Sequence, residues 1–536
     1  MIDRKKSLGP AWLYSIAGVT LLVGFLIAFL NLYRGELNQD EGWYLLGARA
    51  VAEGQRPYAD FAFTQGPVFL SVYSRVTPWI ERDGLRAGRI FTGLLGLLAI
   101  GLASGLAARL APPRWGATTA LLTFMLLWVN AYHNYFSLVV KTYSLTAVLF
   151  AAACLCLVLI RPRGAWVFPL LAGVLMALAA GVRLSAGILL PWIGIYWLWK
   201  REKYPHAWWL WGIGGAAGLA IAYGSVLLHA SENAWFWLVE YHGARTRGSW
   251  FDMTVLKAGF VSRFVQAYFV LFAVLVVWIT GASVAGRKPL RFQPPVGLLW
   301  GCVGVVTLVH IMAPFPYEDY QVYLMPVMAA LVASGVVTWV SKMVLEARQE
   351  VWQRGLSILF LLLVVASAFS SPLNQNWFIR GRDRIWWPMK EAADLVILRE
   401  VGEWLRDNSG GQGRLLTQDA YLAIESGLSV PPGFEMGPFS LYPDWDRETA
   451  LRRNVVNLQL IEEWIEDPAV EWVALSDYGF AISSPDVVPI DEEVRRKLIE
   501  QVESNFELVK AIPYFGQAHT PLRIFRRAHN RESELQ

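Results

Sequence analysis

The sequence predicts a mainly α-helical, multi-pass membrane protein with about eleven spans, followed by an α/β domain of about 165 residues outside the bilayer. Three observations lead there. Hydrophobic residues make up 55% of the 536 residues and charged ones only 17%, too apolar a balance for an ordinary soluble enzyme, and the 26 Trp suit aromatic belts at two membrane surfaces. The apolar residues gather into runs long enough to cross a bilayer. After Ser371 the character changes, with charge, Gly, Pro and Asn appearing together, so 1–371 is read as the membrane-embedded part and 372–536 as a separate tail domain.

The apolar runs fall near 11–33, 87–109, 115–131, 141–160, 166–182, 184–199, 207–229, 262–286, 295–312, 320–340 and 355–371. Basic clusters at Arg4-Lys5-Lys6, 109–114, 161–163, 200–203, 287–291 and 342–354 then share one side, which the positive-inside rule makes cytoplasmic together with the N-terminus. Arg82, Arg86 and Arg89 run against that pattern. The loop at 34–86, the connections at 132–140, 230–261 and 313–319, and the tail are expected on the outer face of a plasma (inner) membrane. The first run reads as a retained anchor, because it outlasts a signal h-region and no small-x-small site precedes Arg34. Cys154, Cys156 and Cys302 all lie in apolar runs, so the tail has no cysteine for a disulfide framework.

Within the tail, 391–407 reads as an amphipathic helix, Arg414 to Thr417 and Glu471 to Ser476 as short strands, and 446–466 and 491–503 as further helices. Ser409 to Gly413 (Ser-Gly-Gly-Gln-Gly) is a turn or helix stop. No strand, Gly-rich loop and helix with a following Lys-Ser/Thr surround it, as a phosphate loop requires.

The loop after the first run carries the chemistry. Asp40-Glu41 places two carboxylates at the boundary between water and membrane, where a lipid-linked substrate presents its headgroup. Gly42 to Glu53 has apolar residues at helical spacing and ends at Gly54, which predicts a short helix along the interface with Asp40 as its cap. Downstream come Pro57-Tyr58, Asp60 and Gln65-Gly66-Pro67. This ensemble resembles the first exoplasmic loop of the GT-C glycosyltransferases, specifically the branch of protein O-mannosyltransferases and the lipid A aminoarabinose transferase (glycosyltransferase family 39 type). The resemblance extends in layout to the multi-span body, to Tyr317-Glu318-Asp319-Tyr320 ahead of a Pro-containing span, and to an outer C-terminal domain. Two departures stand out. Many relatives have Lys-Pro-Pro or His-Pro-Pro where this chain has Gln65-Gly66-Pro67, and a second acid where it has Lys141.

The resemblance implies an enzyme that moves a hexosyl or pentosyl group from a polyprenyl-phosphate donor to a lipid, glycan or protein acceptor on the outer face, with inversion. Such a transfer needs a base for the acceptor proton and positive charge for the departing phosphate. Asp40 is the expected base, and Glu41 is expected to position the acceptor or share its proton network. Arg183, Lys141, Arg245 and Arg247 are the candidate phosphate ligands, with Arg183 preferred because a guanidinium offers phosphate a bidentate fork. Tyr58, Gln65, His310, Tyr317, Glu318 and Tyr320 are candidate substrate-binding residues. No cofactor is certain. A divalent metal is the one candidate, although His133, His242 and His310 follow no recognised ligand spacing. Nucleic acid is not among the expected partners. The segment from Ser231 to Met253, rich in Trp, Phe, Tyr and Arg, is expected to lie on the membrane and fold over a bound donor.

Other classes weigh less. A coupled transporter places ionisable groups near the midplane, whereas these runs keep their charges at the ends. An outer-leaflet glycan polymerase or ligase is the nearer alternative, and it is expected to rely on Arg and His of a large outer loop instead of an acid pair after span one. A non-catalytic sensor is the third.

Overall fold

The computed structural model describes residues 10–162, 164–243, 249–284, 294–344, 359, 362–363, 365–367, 393–476, 478–480, 489–517 and 519–528. Its first part is helical: α1 (Pro10–Arg34), α2 (Gln39–Ala52), α3 (Pro67–Tyr73), α4 (Thr77–Leu110), α5 (Gly116–Trp128), α6 (Ala131–Leu138), α7 (Thr142–Leu159), α8 (Val167–Val182), α9 (Leu189–Trp199) and α10 (Ala207–His229). Further helices cover Trp250–Ala267, Phe269–Val284, Pro294–Met312 and Met325–Val344.

Ten of the predicted runs fall on described residues, and each coincides with an apolar helix or helix pair. Six helices are long and apolar enough to cross a membrane, and Trp250–Ala267 with Phe269–Val284 adds a seventh if that pair, bent by 86°, is one span. Gly116–Trp128, Val167–Val182 and Leu184–Trp199 are apolar but shorter. The chain is a multi-pass membrane protein, and among the described residues six or seven of its apolar segments are single helices long enough to cross. The predicted run at 355–371 lies almost wholly outside the described residues. Large apolar side chains such as Leu22, Phe29, Ile221, Leu228 and Val277 point outward from these helices, as lipid contact requires.

The tail builds a four-stranded sheet from β1 (Arg414–Thr417), β2 (Val470–Leu475), β3 (Phe506–Phe515) and β4 (Thr520–Arg527), in the order β1-β2-β4-β3. β1 and β2 are parallel, and β4 runs antiparallel to both of its neighbours. The Asp394–Ser409 helix buries Leu395, Leu398, Val401 and Leu405, one stripe at helical spacing, and stops at Gly410 with φ 61°. The single helix predicted over 446–466 is two, Arg447–Arg452 and Leu458–Glu466. Asn454 turns the chain at φ 57° and Asn457 caps the second by accepting the Leu460 N–H at 2.9 Å. The hairpin β3-β4 was not anticipated, since Pro513 argues against a strand; β3 is an edge strand, where a missing N–H costs no ladder bond.

The tail packs directly on the loop after α1. Gly42 of α2 lies so close to the Ala420–Ser426 helix that a Cβ there would be 2.1 Å from the Tyr421 amide nitrogen. Asn233 and Asn454 both donate to the Tyr58 carbonyl, and Arg49 donates to the Leu428 carbonyl at 3.1 Å. Glu425 of the tail accepts the Leu85 N–H at 2.9 Å, where α4 breaks at Gly84 and its long apolar part begins.

Candidate active site

Asp40 is held by the start of α2. Asn38 is the cap, its side chain accepting the Asp40 N–H at 3.1 Å, while Glu41 reaches back to accept the Asn38 N–H at 3.0 Å. This reciprocal capping box corrects the expectation that Asp40 caps the helix; Asp40 is the second helical residue, and its carboxylate is released from backbone duty. The tail completes the cap. Gln517 accepts the Gln39 N–H at 2.7 Å, and Asp394, itself bound to His519 at 3.1 Å, accepts the Leu37 N–H at 3.4 Å. The helix is also largely buried from Glu41 to Ala50, with the Ala420–Ser426 helix of the tail packed against it.

The two adjacent acids part company here. Glu41 has no exposed surface and forms a bidentate ion pair with the equally buried Arg89 at 2.6 and 2.8 Å. Its Oε1 also accepts the Val140 N–H at 3.1 Å, so every lone-pair direction it needs is taken and it does not face the cavity. This explains one of the arginines that broke the charge pattern; the other two, Arg82 and Arg86, share Asp83 at 2.9 and 3.2 Å.

Asp40 faces a cavity of about 640 Å³. Its Oδ1 accepts the Trp43 indole N–H at 3.2 Å and its Oδ2 pairs with Lys141 Nζ at 3.0 Å. Lys141, which stands at the cap position of α7, also reaches Asp319 Oδ2 at 3.1 Å, and the Tyr143 hydroxyl donates to that same oxygen at 2.9 Å. Burial pushes the Lys141 ammonium down, but Tyr143 and the two carboxylates outweigh it and hold the group well above the ordinary lysine range. Burial, then the Asp40 charge, pushes the Tyr44 phenol up, so it stays protonated beside the acid.

Arg183 follows α8 in extended backbone and lies between the rings of Tyr143 and Tyr320, at 4.9 and 4.5 Å from their centres. Its Nη1 donates to the Thr142 hydroxyl at 3.0 Å, and no carboxylate pairs with it among the described residues. The Gln65-Gly66-Pro67 turn is pressed onto the same place: a Cβ on Gly66 would be 2.1 Å from the Gly181 carbonyl oxygen, an approach only glycine allows.

The cavity therefore brings together Asp40, Lys141, Arg183, Gln65, His310, Tyr317 and Tyr320 of the expected residues. Others stand elsewhere. Tyr58 is fully buried, its hydroxyl bonded to the Gln65 carbonyl, and shapes the loop from behind. Glu318 turns away to pair with Arg263 at 2.9 Å. Arg245 and Arg247 lie outside the described residues. Asp319, expected only as part of the Tyr317-Glu318-Asp319-Tyr320 cluster that could line a sugar pocket, faces the cavity as well. Tyr143 and Gln517 are among the lining residues that sequence reasoning did not assign; Tyr143 had a signal in its nearness to Lys141, and Gln517, in the β3-β4 turn, had none. Leu238, Tyr241 and His242, from the segment expected to cover a donor, also line the cavity.

A carboxylate-held divalent cation does not fit these residues. The two acids that face each other across the cavity, Asp40 and Asp319, already share the Lys141 ammonium, and no group of three His, Cys, Asp or Glu gathers among the described residues.

Neither a family model nor a curated protein matches the sequence. Solved structures do match. The crystal structure of ArnT from Cupriavidus metallidurans bound to undecaprenyl phosphate superposes with a TM-score of 0.60 over 97% of this chain and 99% of that one, at 13% identity. The apo state of the same protein gives 0.59 over 97% and 98%, at 15% identity. The chain has the GT-C fold. The match covers body and tail together, so the four-stranded sheet belongs to the same architecture as the spans.

Proposed function

We propose that this chain is a membrane glycosyltransferase that moves a sugar from a polyprenyl-phosphate donor to a lipid, glycan or protein acceptor at the outer membrane surface, with inversion. One observation carries the reading: a carboxylate, Asp40, and a guanidinium with no acidic partner among the described residues, Arg183, share one cavity. Asp40 accepts the proton of the acceptor hydroxyl or amine as that atom bonds to the anomeric carbon. The bond from that carbon to the phosphate oxygen breaks, and its electron pair leaves with a phosphate that Arg183 neutralises. The aromatic mounts of Arg183 preorganise its fork.

The rest of the cavity supports the same polarity of binding. Leu184 and Ile188, which are among the lining residues, are 47% and 40% exposed, an apolar way in for an isoprenoid chain. Gln65, His310, Tyr317 and Tyr320 supply the mixed aromatic and polar contacts a sugar ring takes. Gln517 and Phe439 bring the tail into the lining, where they are read to meet the acceptor. The undecaprenyl phosphate held by ArnT is the chemistry this cavity is read to accept.

Two measurements test the proposal together. Native mass spectrometry of the protein in nanodiscs detects undecaprenyl phosphate binding. Mass spectrometry of envelope lipids, glycans and glycoproteins in a deletion strain, complemented with native or Asp40→Asn protein, names the product. Binding with a product that native but not Asp40→Asn protein restores is the expected result. Restoration by Asp40→Asn removes the base, and absence of any binding removes the donor.

A further inference from the structure

We propose that the Lys141 ammonium is a built-in cation that bridges Asp40 and Asp319, takes the place a divalent metal would occupy between them, and leaves the donor phosphate to Arg183. The proposal rests on the reading above for the role of Asp40 as base and for the donor phosphate; the bridge itself is a matter of geometry.

Lys141 is 8% exposed, and its Nζ stands 3.0 Å from Asp40 Oδ2 and 3.1 Å from Asp319 Oδ2. An ammonium has three donors, so two are committed to carboxylates. Its reach is fixed from behind, because residue 141 is held in extended backbone at φ −140° and ψ 170° one position before α7, with its head 5.8 and 5.6 Å from the rings of Phe136 and Tyr143. Oxygen ligands of a divalent ion lie at about 2.0–2.6 Å, so an ion that bridged the two acids would need the space the ammonium fills. Removing the ammonium leaves two facing carboxylates with nothing between them, an arrangement that either repels or collects a cation.

Charge decides the division of labour. Asp40 and Asp319 carry two negative charges and Lys141 one positive, so Lys141 drawn away to a phosphate would leave both acids uncompensated in a partly buried place. Arg183 faces the same cavity with no such debt among the described residues. Lys141 is therefore a positioning residue: it aims Asp40 Oδ2 and offsets Asp319, without touching the donor.

The test uses the full-length protein in nanodiscs with two probes, Mn2+ followed by electron paramagnetic resonance and undecaprenyl phosphate followed by native mass spectrometry. Native protein binds no Mn2+ that Asp319→Asn removes. Lys141→Ala, or Lys141→Gln where the first is not monodisperse, gains one Mn2+ per chain, and adding Asp319→Asn abolishes it. The charge-balanced pair Lys141→Met/Asp319→Asn binds undecaprenyl phosphate within about threefold of native protein, whereas Arg183→Met weakens it by about tenfold or more. Mn2+ bound between the acids in native protein, or a monodisperse Lys141 variant that gains none, overturns the bridge. A tenfold loss in the charge-balanced pair assigns Lys141 to the phosphate instead and overturns the division of labour. Failure of native protein to bind undecaprenyl phosphate overturns the transferase reading and with it the assignment of the phosphate to Arg183, while the Mn2+ arm still decides the bridge.

Discussion

Glu41→Gln separates two neighbouring acids that look alike in the sequence. Glu41 accepts four hydrogen bonds, from Arg89 Nε and Nη2 at 2.8 and 2.6 Å and from the Asn38 and Val140 amides at 3.0 and 3.1 Å. Neither Glu41 nor Arg89 has exposed side-chain surface. A glutamine keeps the volume but turns an N–H toward a donor and leaves the guanidinium uncompensated where water cannot reach it, which costs about 3–5 kcal/mol. Arg89→Met in the same chain removes the stranded charge, so the double variant recovers at least ~1.5 kcal/mol of that loss. Asp40→Asn is the contrast. Its side chain is 23% exposed and Lys141 keeps Asp319, so the cost is about 1 kcal/mol or less. Unfolding by titrated SDS in mixed micelles measures all three variants on one scale. A Glu41→Gln cost under ~1 kcal/mol, or a double variant no better than the single, refutes the assignment of Glu41 to structure.

Two further outcomes are expected. In an isolated helix Gly→Ala stabilises by up to about 1 kcal/mol, yet Gly42→Ala in α2 is expected to destabilise by about 1–3 kcal/mol because the new Cβ meets the Tyr421 backbone. Limited proteolysis, with faster cleavage of the tail in the variant, reads the loosened docking; an unchanged digest refutes it. Burial pushes the Glu435 carboxyl up to about 7, so the folded tail prefers it protonated. That contribution is full below about pH 4.5 and is lost as the pH rises through about 7, up to ~3 kcal/mol in all. Glu435→Gln, which mimics the protonated form, is therefore expected to raise the melting temperature at pH 8 and to leave it unchanged at pH 4, and the reverse order would refute the sign.

Much of the architecture was legible because it rests on composition over long windows. Uncharged runs become helices facing lipid since the bilayer offers backbone polar groups no other partner, and the predicted starts of α1, α7 and α10 fall within a few residues of the observed ones. Helix length and bending were less legible: three apolar runs form helices of fewer than 18 residues, and another is bent by 86°. Hydropathy reports what a segment touches and is silent on where the chain turns. In the tail, the break at Asn454 and the hairpin β3-β4 were missed, since a left-handed turn and an edge strand are settled by neighbours distant in sequence.

The sequence alone determined that acids and cations would collect at the ends of apolar runs, because the cost of burying charge in hydrocarbon keeps them there. It placed Asp40, Lys141 and Arg183 among the candidates for that reason, and His310 for its place beside Tyr317-Glu318-Asp319-Tyr320. Which of them face one another was decided only by tertiary structure. Asp40 and Glu41 are one residue apart, but a helix turns about 100° between them, sending one to a cavity and the other to Arg89. Lys141 meets Asp319 across 178 positions, and Gln517 meets Gln39 across 478. Partnerships at that distance depend on how helices pack and where the tail docks, and no local pattern carries them.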